Sequence, residues 1–335
     1  MGDIMALHMG THSIALDCKD PNSNLNFVSH AHSDHTSGIR KGSKVLSSKI
    51  TQALLAVRGK PVTREDLPEG MRLLHAGHIL GSSQLYAEKP ETGQSAIYSG
   101  DYQIDASVVA ERIETIDADV LIIDSTYPSP KVDFGDKAEI VADMQRYMKK
   151  TLDSGILLFG AYSLGKAQEI IRIANEAGIA PAVDAKTDAI NAVYGANGIS
   201  LDYASIGKDE VEFEAALKDN FIGIVSPHKL GRAAQRIASL YNKRVFTAVA
   251  TGFAKIFNMG TDMQFPLSDH ADFGQAVEYI ERCNPKIIYT HGSNESAVVF
   301  ASHLKRRGYR AQPLSGSDVH VAACDTALLK YPKAP

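Results

Sequence analysis

The chain has 335 residues, of which 44% are hydrophobic and 22% are charged, and its formal net charge is −4. This length predicts two domains, or one domain with a large insertion, and the apolar fraction is typical of a soluble globular protein. The negative balance excludes a uniformly basic nucleic-acid-binding protein, so any contact with nucleic acid needs local cations or bound metal.

The three cysteines are too few and too far apart for a disulfide framework or a cysteine zinc site. Cys18, Cys283 and Cys324 are isolated, and the chain has no Cys-x-x-Cys pair. The first residues do not have the pattern of a signal peptide, and no apolar run approaches the ~20 residues of a membrane span. We therefore expect a cytoplasmic protein without a membrane partner.

The first 135 residues are predicted to form short strands separated by turns. "SIALD" (13–17) and "LNFVSH" (25–30) have the apolar pattern of strands, and the segment 72–103 continues it with glycines at the breaks. "DADVLIIDSTYPSP" (117–130) is a strand of the buried type with an acidic residue at its end, closed by two prolines.

After residue 135 the pattern changes to strands that alternate with helices. An amphipathic helix ends at Gly155, and four apolar strands with helices between them follow. Such alternation predicts a parallel, doubly wound sheet. The strand "KIIYTHGS", flanked by two helices, then continues the first pattern. The middle block is therefore an insertion, and we expect the limits 1–145, 146–255 and 256–335.

The segment "FVSHAHSDHTSG" (27–38) places three histidines and one aspartate within six positions. Divalent metals bind neutral imidazole nitrogens and carboxylate oxygens at about 2.0–2.2 Å. Alternate side chains of an extended segment point to the same side, so His30 and His32 can reach one metal together. Asp34 and His35, where the chain turns, can reach a second metal. The alternative is a solvated polar turn, and the His-x-His-x-Asp-His spacing argues against it.

This spacing resembles the metal signature of the metallo-β-lactamase superfamily. The resemblance implies an αββα sandwich with the metals at one edge, and a superfamily that includes thioesterases, lactamases, phosphodiesterases and nucleases. It also implies two divalent metal ions, with zinc as the expected metal and manganese or iron as alternatives. The motif alone therefore indicates a binuclear metallohydrolase without naming its substrate.

The same resemblance implies a ligand set in chain order. Asp101 of "YSGDYQ" matches the carboxylate that bridges both metals. Asp17 resembles an early aspartate that supports a ligand, although a turn residue at a strand end is the alternative. The remaining ligands are His30, His32 and His78 for the first metal, and Asp34, His35 and His291 for the second.

Three further motifs resemble the beta-CASP nuclease branch of this superfamily. "LIIDSTYPSP" resembles its first motif with Asp124, "FPLSDHADF" its second with His270, and "IIYTHGS" its third with His291. Pro128 replaces the glycine that usually follows the tyrosine of the first motif. The doubly wound insertion lies where this branch carries its beta-CASP domain, so the resemblance implies an α/β sandwich with an inserted parallel-sheet domain.

Phosphodiester hydrolysis defines the roles that we predict for the catalytic residues. Two metals can activate a water molecule and neutralise a phosphate during in-line displacement. The leaving alkoxide needs a proton, for which we predict His270, oriented by the carboxylate of Asp124. A metal-ligand or structural role is the alternative for His270. Asp34 is predicted to act beside the metals.

Two loops of the insertion are predicted to bind substrate phosphates. In "GAYSLGKAQEI" a helix is expected to start at Ser163, and its free N–H groups together with Ser163 and Lys166 suit a phosphate. The alternative is a serine cap with a solvated lysine. The second loop, "SPHKLGRAAQ", repeats the pattern with Ser226, His228, Lys229 and Arg232.

These motifs together predict a nuclease that acts on single-stranded nucleic acid, with RNA as the first candidate. His291 matches the RNA-acting members, since Artemis-like DNA-acting members usually carry valine there. "YSLGKAQ" and the compact length resemble the DNA-ligase-associated exonucleases, so a DNA exonuclease is the second candidate. A small-molecule hydrolase would lack the insertion, and a non-catalytic subunit would lack ligands. A homodimer remains open.

Overall fold

The computed structural model describes residues 5–206, 219–314 and 319–322. These residues form mixed and parallel β-sheets with helices packed on them, which confirms the predicted α/β fold class. Among the described helices the longest has 16 residues, and none combines the length and the apolar character that a bilayer crossing requires.

The first sheet contains four strands. They are β1 (Met5–Met9), β2 (His12–Leu16), β3 (Leu25–Phe27) and β18 (Val319–Ala322). Their spatial order is β18-β1-β2-β3, with β2 antiparallel to β1 and parallel to β3. Beside this sheet lie a short parallel pair and one helix: β4 (Lys44–Val45), β5 (Thr63–Arg64) and α1 (Lys49–Val57).

The inserted sheet contains six strands, all of them paired in parallel. They are β10 (Ile156–Gly160), β11 (Ala182–Val183), β12 (Ala204–Ser205), β13 (Ile222–Val225), β14 (Val245–Ala250) and β15 (Met263–Phe265). Their order is β12-β11-β13-β10-β14-β15. The helices that the structure describes in this unit are α2 (Lys137–Leu152), α3 (Lys166–Glu176), α4 (Ala185–Ala196) and α5 (Leu230–Tyr241).

Helices cover both faces of the inserted sheet. Leu157 and Phe159 of β10 pack into the core that α2 and α3 supply, whereas Ile156 and Leu158 pack with Leu230 of α5. Successive side chains of a strand point to opposite faces, so the continuous apolar run of β10 is explained by burial on both sides. The predicted parallel, doubly wound arrangement is present.

We propose wider limits for the insertion than those expected from the sequence. Helix α2 begins at residue 137, before the predicted limit of 146, and packs against α3 and β10. Strand β15 ends at residue 265, after the predicted limit of 255, and pairs with β14. We therefore propose 137–265 as the inserted unit. An amphipathic helix and a three-residue strand do not reveal from sequence alone which unit they join.

The second sheet of the sandwich has six strands, and the candidate site is built at its edge. The strands are β6 (Met71–His75), β7 (Ser83–Lys89), β8 (Gln94–Tyr98), β9 (Val120–Asp124), β16 (Ile287–His291) and β17 (Ala311–Pro313). Their order is β17-β16-β9-β8-β7-β6, and β8, β9, β16 and β17 are parallel.

The second sheet is buried on both faces. One face packs against the first sheet through a core that includes Phe27 and Ile122. The other is covered by helices α6 (Phe273–Cys283) and α7 (Asn294–Arg306), whose Tyr279 and Phe300 pack on Leu121. This is the sheet-on-sheet arrangement with outer helices that a hydrophobic face on each sheet requires.

The carboxyl ends of three parallel strands place the predicted site residues at one edge. Asp124 ends β9, His291 ends β16 directly beside it, and Asp101 follows β8 by three residues. The loop after β10 of the insertion reaches the same edge, because the Leu164 carbonyl oxygen lies 3.2 Å from His32 Nε2. Carboxyl ends of parallel strands are where open α/β sheets bind ligands.

Gly77 should be a point of high sensitivity in this framework. Its φ is +78°, and a Cβ there would lie 2.2 Å from the Gln103 carbonyl oxygen. Gly10 also has a positive φ but open space around it, so Gly10→Ala should cost about 1–2 kcal/mol for backbone conformation alone. We expect Gly77→Ala to lower the free energy of unfolding by more than Gly10→Ala does, as measured by urea denaturation. Equal losses in the two variants would contradict this steric account.

Candidate metal centre

Three imidazole rings converge on one point at the edge of the second sheet. His30 lies on the loop after β3, which ends at Phe27 and is shorter than the predicted strand 25–30. Its Nε2 lies 3.0 Å from His32 Nδ1, and His78 Nε2 lies 3.2 Å from the same His32 atom. The three predicted ligands of the first metal are therefore together.

The outer nitrogen of each ring is bound to a hydrogen-bond acceptor outside the cluster. His78 Nδ1 donates to the Asp269 carbonyl at 2.7 Å, and His32 Nε2 donates to the Leu164 carbonyl at 3.2 Å. The Ser29 hydroxyl donates to Asp17, so it accepts the proton of His30 Nδ1 at 2.9 Å. These bonds fix the tautomers and leave three lone pairs that face one another, as in metal sites.

The donor set fits a tetrahedral cation. Asp101 Oδ2 lies 3.6 Å from His30 Nε2 and 3.7 Å from His78 Nε2, which completes a group of four donors with His32. Four donors at 2.0–2.2 Å from one cation lie about 3.3–3.6 Å from each other in a tetrahedron. The observed spacings of 3.0–3.7 Å are close to these values.

Burial keeps these rings in the neutral form that a metal ligand needs. It lowers the pKa of His30 well below its usual value, and it also lowers the pKa of His78 and that of His32 to about 4. Burial alone would raise the pKa of Asp101, but His35 and His270 hold it well below its usual range. The cluster therefore offers three neutral imidazoles and one carboxylate.

Two predicted ligands of the second metal also lie near Asp101. His35 Nε2 is 3.1 Å from Asp101 Oδ2 and 3.8 Å from Asp34 Oδ2. The Asp34 side chain is 78% exposed, so it borders the solvent side of this group. Asp101 Oδ2 thus lies within 3.7 Å of ring nitrogens of His30, His78 and His35, so it is shared by the two groups of predicted ligands.

His291 is the fourth predicted member of the second group. Its ring centroid lies 5.2 Å from that of Tyr98, and its Nε2 is a buried nitrogen without a hydrogen-bond partner among the described residues. Burial lowers the pKa of His291, so the ring is neutral. A buried polar atom without a partner is costly, and a metal ion is one group that would satisfy it. His291 is therefore a neutral nitrogen donor, although the compact groups of metal-binding side chains among the described residues include neither His291 nor His35 and Asp34.

Asp17 orients His35 through a set of short hydrogen bonds. Its carboxylate accepts from His35 Nδ1, the Tyr98 hydroxyl, and the Ser29 N–H and hydroxyl, each at 2.7 Å. This leaves His35 Nε2 directed at Asp101. Asp17 has a φ of +55°, a conformation in which aspartate and asparagine are enriched. The position fits the supporting role that its resemblance implies.

His270 and Asp124 lie beside the cluster as a pair. His270 Nδ1 is 3.3 Å from Asp124 Oδ2, and its Nε2 is 3.9 Å from Asp101 Oδ2. Burial opposes the protonated form of His270, but Asp101 and Asp124 raise its pKa to about 9. The ring can therefore hold a proton next to the Asp101 carboxylate.

Lys166, Glu169 and Asp269 form a buried charged network that sequence reasoning missed. Lys166 Nζ lies 2.7 Å from Glu169 Oε2 and 3.8 Å from Asp269 Oδ2, and it donates to the Leu267 carbonyl at 3.1 Å. Asp269 is adjacent to His270 in "SDHAD", which is the signal that could have identified it. Because Lys166 is buried and its positive charge is balanced by the carboxylates of Glu169 and Asp269, we do not propose that it binds a substrate phosphate.

The other predicted phosphate-binding residues have different environments. Helix α3 begins at Lys166 with Gly165 as its cap, so the expected helix start at Ser163 is wrong. Gly165 has a φ of +87°, a conformation that favours glycine over serine. In the second loop, Ser226 directly precedes a short 3-10 helix, and its side chain makes no capping hydrogen bond. The side chains of His228, Lys229 and Arg232, which follow, are exposed.

His78→Ala should weaken metal binding selectively. Removing one of four donors should raise the zinc dissociation constant more than tenfold, since even supporting residues are worth about 10–100-fold. His75→Ala is the matched control, because His75 is half exposed and its Nε2 lies 3.9 Å from Glu114. Isothermal titration of chelator-treated protein with Zn²⁺ measures both. An unchanged affinity in His78→Ala would contradict the ligand assignment.

Asp17→Asn should affect the second metal more than the first. Asparagine keeps the backbone preference but removes the charge that holds His35. We expect about 10–100-fold weaker binding of one of two metals, measured by metal analysis during stepwise chelation. Asp20→Asn is the control, because Asp20 is buried but its carboxylate accepts from the nearby Asn22 and Ser23. Equal losses in both variants would argue against a positioning role for Asp17.

Comparison with known proteins gives relatives that include a ligase, a DNA-repair protein and a ribonuclease. The chain is 31% identical over 298 residues to a probable DNA ligase of Opitutus terrae, which covers 85% of the chain and 28% of that protein. It is 28% identical over 168 residues to DNA cross-link repair 1A protein of Mus musculus, a match that covers 45% of the chain and 16% of that protein. Probable RNase MJ4 of Methanocaldococcus jannaschii is 22% identical over 382 residues, with 88% of both covered.

These matches differ in the share of each relative that they cover. The chain spans 28% and 16% of the length of the first two relatives. No family model matches the chain. Three observations support the same family: the relatives, the His-x-His-x-Asp-His loop at the sheet edge and the inserted parallel sheet. The chain belongs to the metallo-β-lactamase superfamily, in its beta-CASP nuclease branch.

Proposed function

We propose that the protein is a metal-dependent nuclease that hydrolyses phosphodiester bonds in single-stranded nucleic acid. The observation that carries this proposal is the position of His270. Its ring is paired with Asp124 at 3.3 Å and lies 3.9 Å from Asp101, the carboxylate on which the other histidines converge. A proton donor beside a two-metal site is what the departure of an alkoxide from a phosphodiester requires.

The residues of the chain have separate tasks in this reaction. Two divalent ions, which we propose to be zinc, would supply a Lewis acid for the phosphate and a water molecule of lowered pKa. His30, His32 and His78 would hold one ion, His35, Asp34 and His291 the other, and Asp101 both.

His270 would transfer a proton from Nε2 to the leaving oxygen. Asp124 accepts from Nδ1 and keeps that ring oriented toward the site. The carboxylate of Asp124 favours the protonated form of His270, which is the form that donates the proton. Asp34 has a carboxylate on the exposed side of the cluster, where it can meet the incoming substrate and water.

DNA and RNA are both candidate polymers, and different observations favour them. His291 at the end of β16 favours RNA by its resemblance to RNA-acting members. The match to the probable DNA ligase favours DNA, because it has 31% identity over 85% of the chain, whereas probable RNase MJ4 has 22% over 88%. We give DNA precedence on this difference in identity, which reverses the order expected from His291 alone.

His270→Ala should remove most of the activity without removing the metals. General acid catalysis contributes about 10²–10⁴-fold, so we expect kcat to fall by a factor in this range. The assay is cleavage of end-labelled single-stranded DNA and RNA with zinc-loaded protein, and chelator should abolish it. His75→Ala, a half-exposed histidine away from the cluster, should retain the activity of the unmodified protein.

The same assay distinguishes the alternative classes. Full activity of His270→Ala, or cleavage that chelator does not affect, would contradict the mechanism. Hydrolysis of a thioester or a lactam without cleavage of either polymer would indicate a small-molecule hydrolase instead. Faster cleavage of RNA than of DNA would reverse the order that we give to the two polymers.

A further inference from the structure

A row of aromatic rings runs from His270 to the protein surface. The centroid of Tyr127 lies 6.1 Å from that of His270, Phe253 lies 5.3 Å from Tyr127, and Phe257 lies 6.2 Å from Phe253. Tyr127 belongs to the "DSTY" motif at the end of β9, whereas Phe253 and Phe257 follow β14 of the insertion. We call Tyr127, Phe253 and Phe257 the aromatic ladder.

The exposure of these rings increases with distance from His270. Tyr127 is 5% exposed, Phe253 43% and Phe257 58%. Large apolar side chains that remain this exposed in neighbouring positions mark binding surfaces more often than scattered ones do. Neither phenylalanine is buried in a core, so their placement beside the candidate active site needs another explanation.

The backbone around the ladder is shaped to hold these rings close together. Gly252 packs directly under Tyr127, since a Cβ at this position would lie 2.4 Å from the Tyr127 hydroxyl oxygen. Phe257 N–H donates to the Phe253 carbonyl at 2.9 Å, which sets both rings on one compact turn. Phe253 and Phe257 are tilted by only 31° to each other.

The charges around the ladder suit a polyanion. Strand β10 is parallel to both β13 and β14, so the loops after β13 and β14 lie at the same edge of the inserted sheet. The segments that follow these strands carry exposed Lys229, exposed Arg232 and Lys255. Cations that contact phosphates, together with aromatic rings on which bases stack, are how proteins hold single strands without sequence preference. The chain contains no tryptophan, so tyrosine and phenylalanine must supply the rings.

We propose that the aromatic ladder is a base-stacking subsite that leads a single strand of nucleic acid from the surface to His270. This inference rests on the proposed nuclease function and adds the path of the strand. Successive bases that lead away from the cleaved bond would stack on Phe253 and then Phe257, while the phosphates lie toward the cations of the neighbouring loops. Because every base has a π-face, such a path tolerates any sequence.

Strand binding by ring variants tests the proposal. The probe is a fluorescein-labelled, cleavage-resistant phosphorothioate oligonucleotide, and its binding to metal-loaded protein is followed by anisotropy. Phe253→Ala with Phe257→Ala should weaken binding about fivefold to a hundredfold, as loss of base stacking does. Phe257→Trp should retain the affinity. Tyr241→Ala is the matched control, because this exposed aromatic residue ends α5 at the opposite edge of the sheet.

A second readout reports stacking itself. The fluorescence of 2-aminopurine placed beside the cleaved bond should be quenched by the unmodified protein and by Phe257→Trp, but not by the double alanine variant. Unchanged binding in the double variant, with cleavage by the unmodified protein intact, would overturn the ladder and leave the nuclease standing. Absence of cleavage by the unmodified protein would instead remove the nuclease. If the double alanine variant differs from the unmodified protein in molecular mass in solution but not in strand binding, these rings form a protein interface. That result would overturn the ladder.

Discussion

Three lone pairs that face one another at about 3 Å are the constraint on which the site depends. The inner nitrogens of His30, His32 and His78 repel each other unless a cation lies between them. Each ring is held in this position by an acceptor from a different part of the chain: Ser29, Leu164 and Asp269. The fold of both units therefore serves to fix three tautomers, and the carboxylate of Asp101 completes the set.

Much of this arrangement can be predicted from the sequence, because metal chemistry constrains residue type and spacing together. The loop 30–35 indicates two metals by its spacing alone, and the parallel sheet follows from the alternation of strands and helices. Asp101, Asp124 and His291 are brought together because parallel strands end at the same edge, a rule that sequence reasoning can use. The pairing of His270 with Asp124 spans 146 residues and follows from motif resemblance rather than from periodicity.

What the sequence cannot provide depends on burial between distant segments. Lys166 has the features of a solvated lysine near a helix start, yet it lies buried against Glu169 and Asp269. Nothing in the local sequence indicates that this helix end faces Leu267 rather than water. The limits that we propose for the insertion depend on the same kind of contact, since α2 and β15 are assigned to it by their packing and strand pairing. The aromatic ladder joins Tyr127 to the distant residues 253–257, so no local pattern reveals it.

The hydrogen bond from His32 to the Leu164 carbonyl links metal occupancy to the docking of the insertion. Leu164 belongs to the inserted unit, whereas His32 belongs to the sandwich. A ligand that binds only the assembled state stabilises it, so a bound cation strengthens the contact between the two units, and correct docking raises the affinity for the cation.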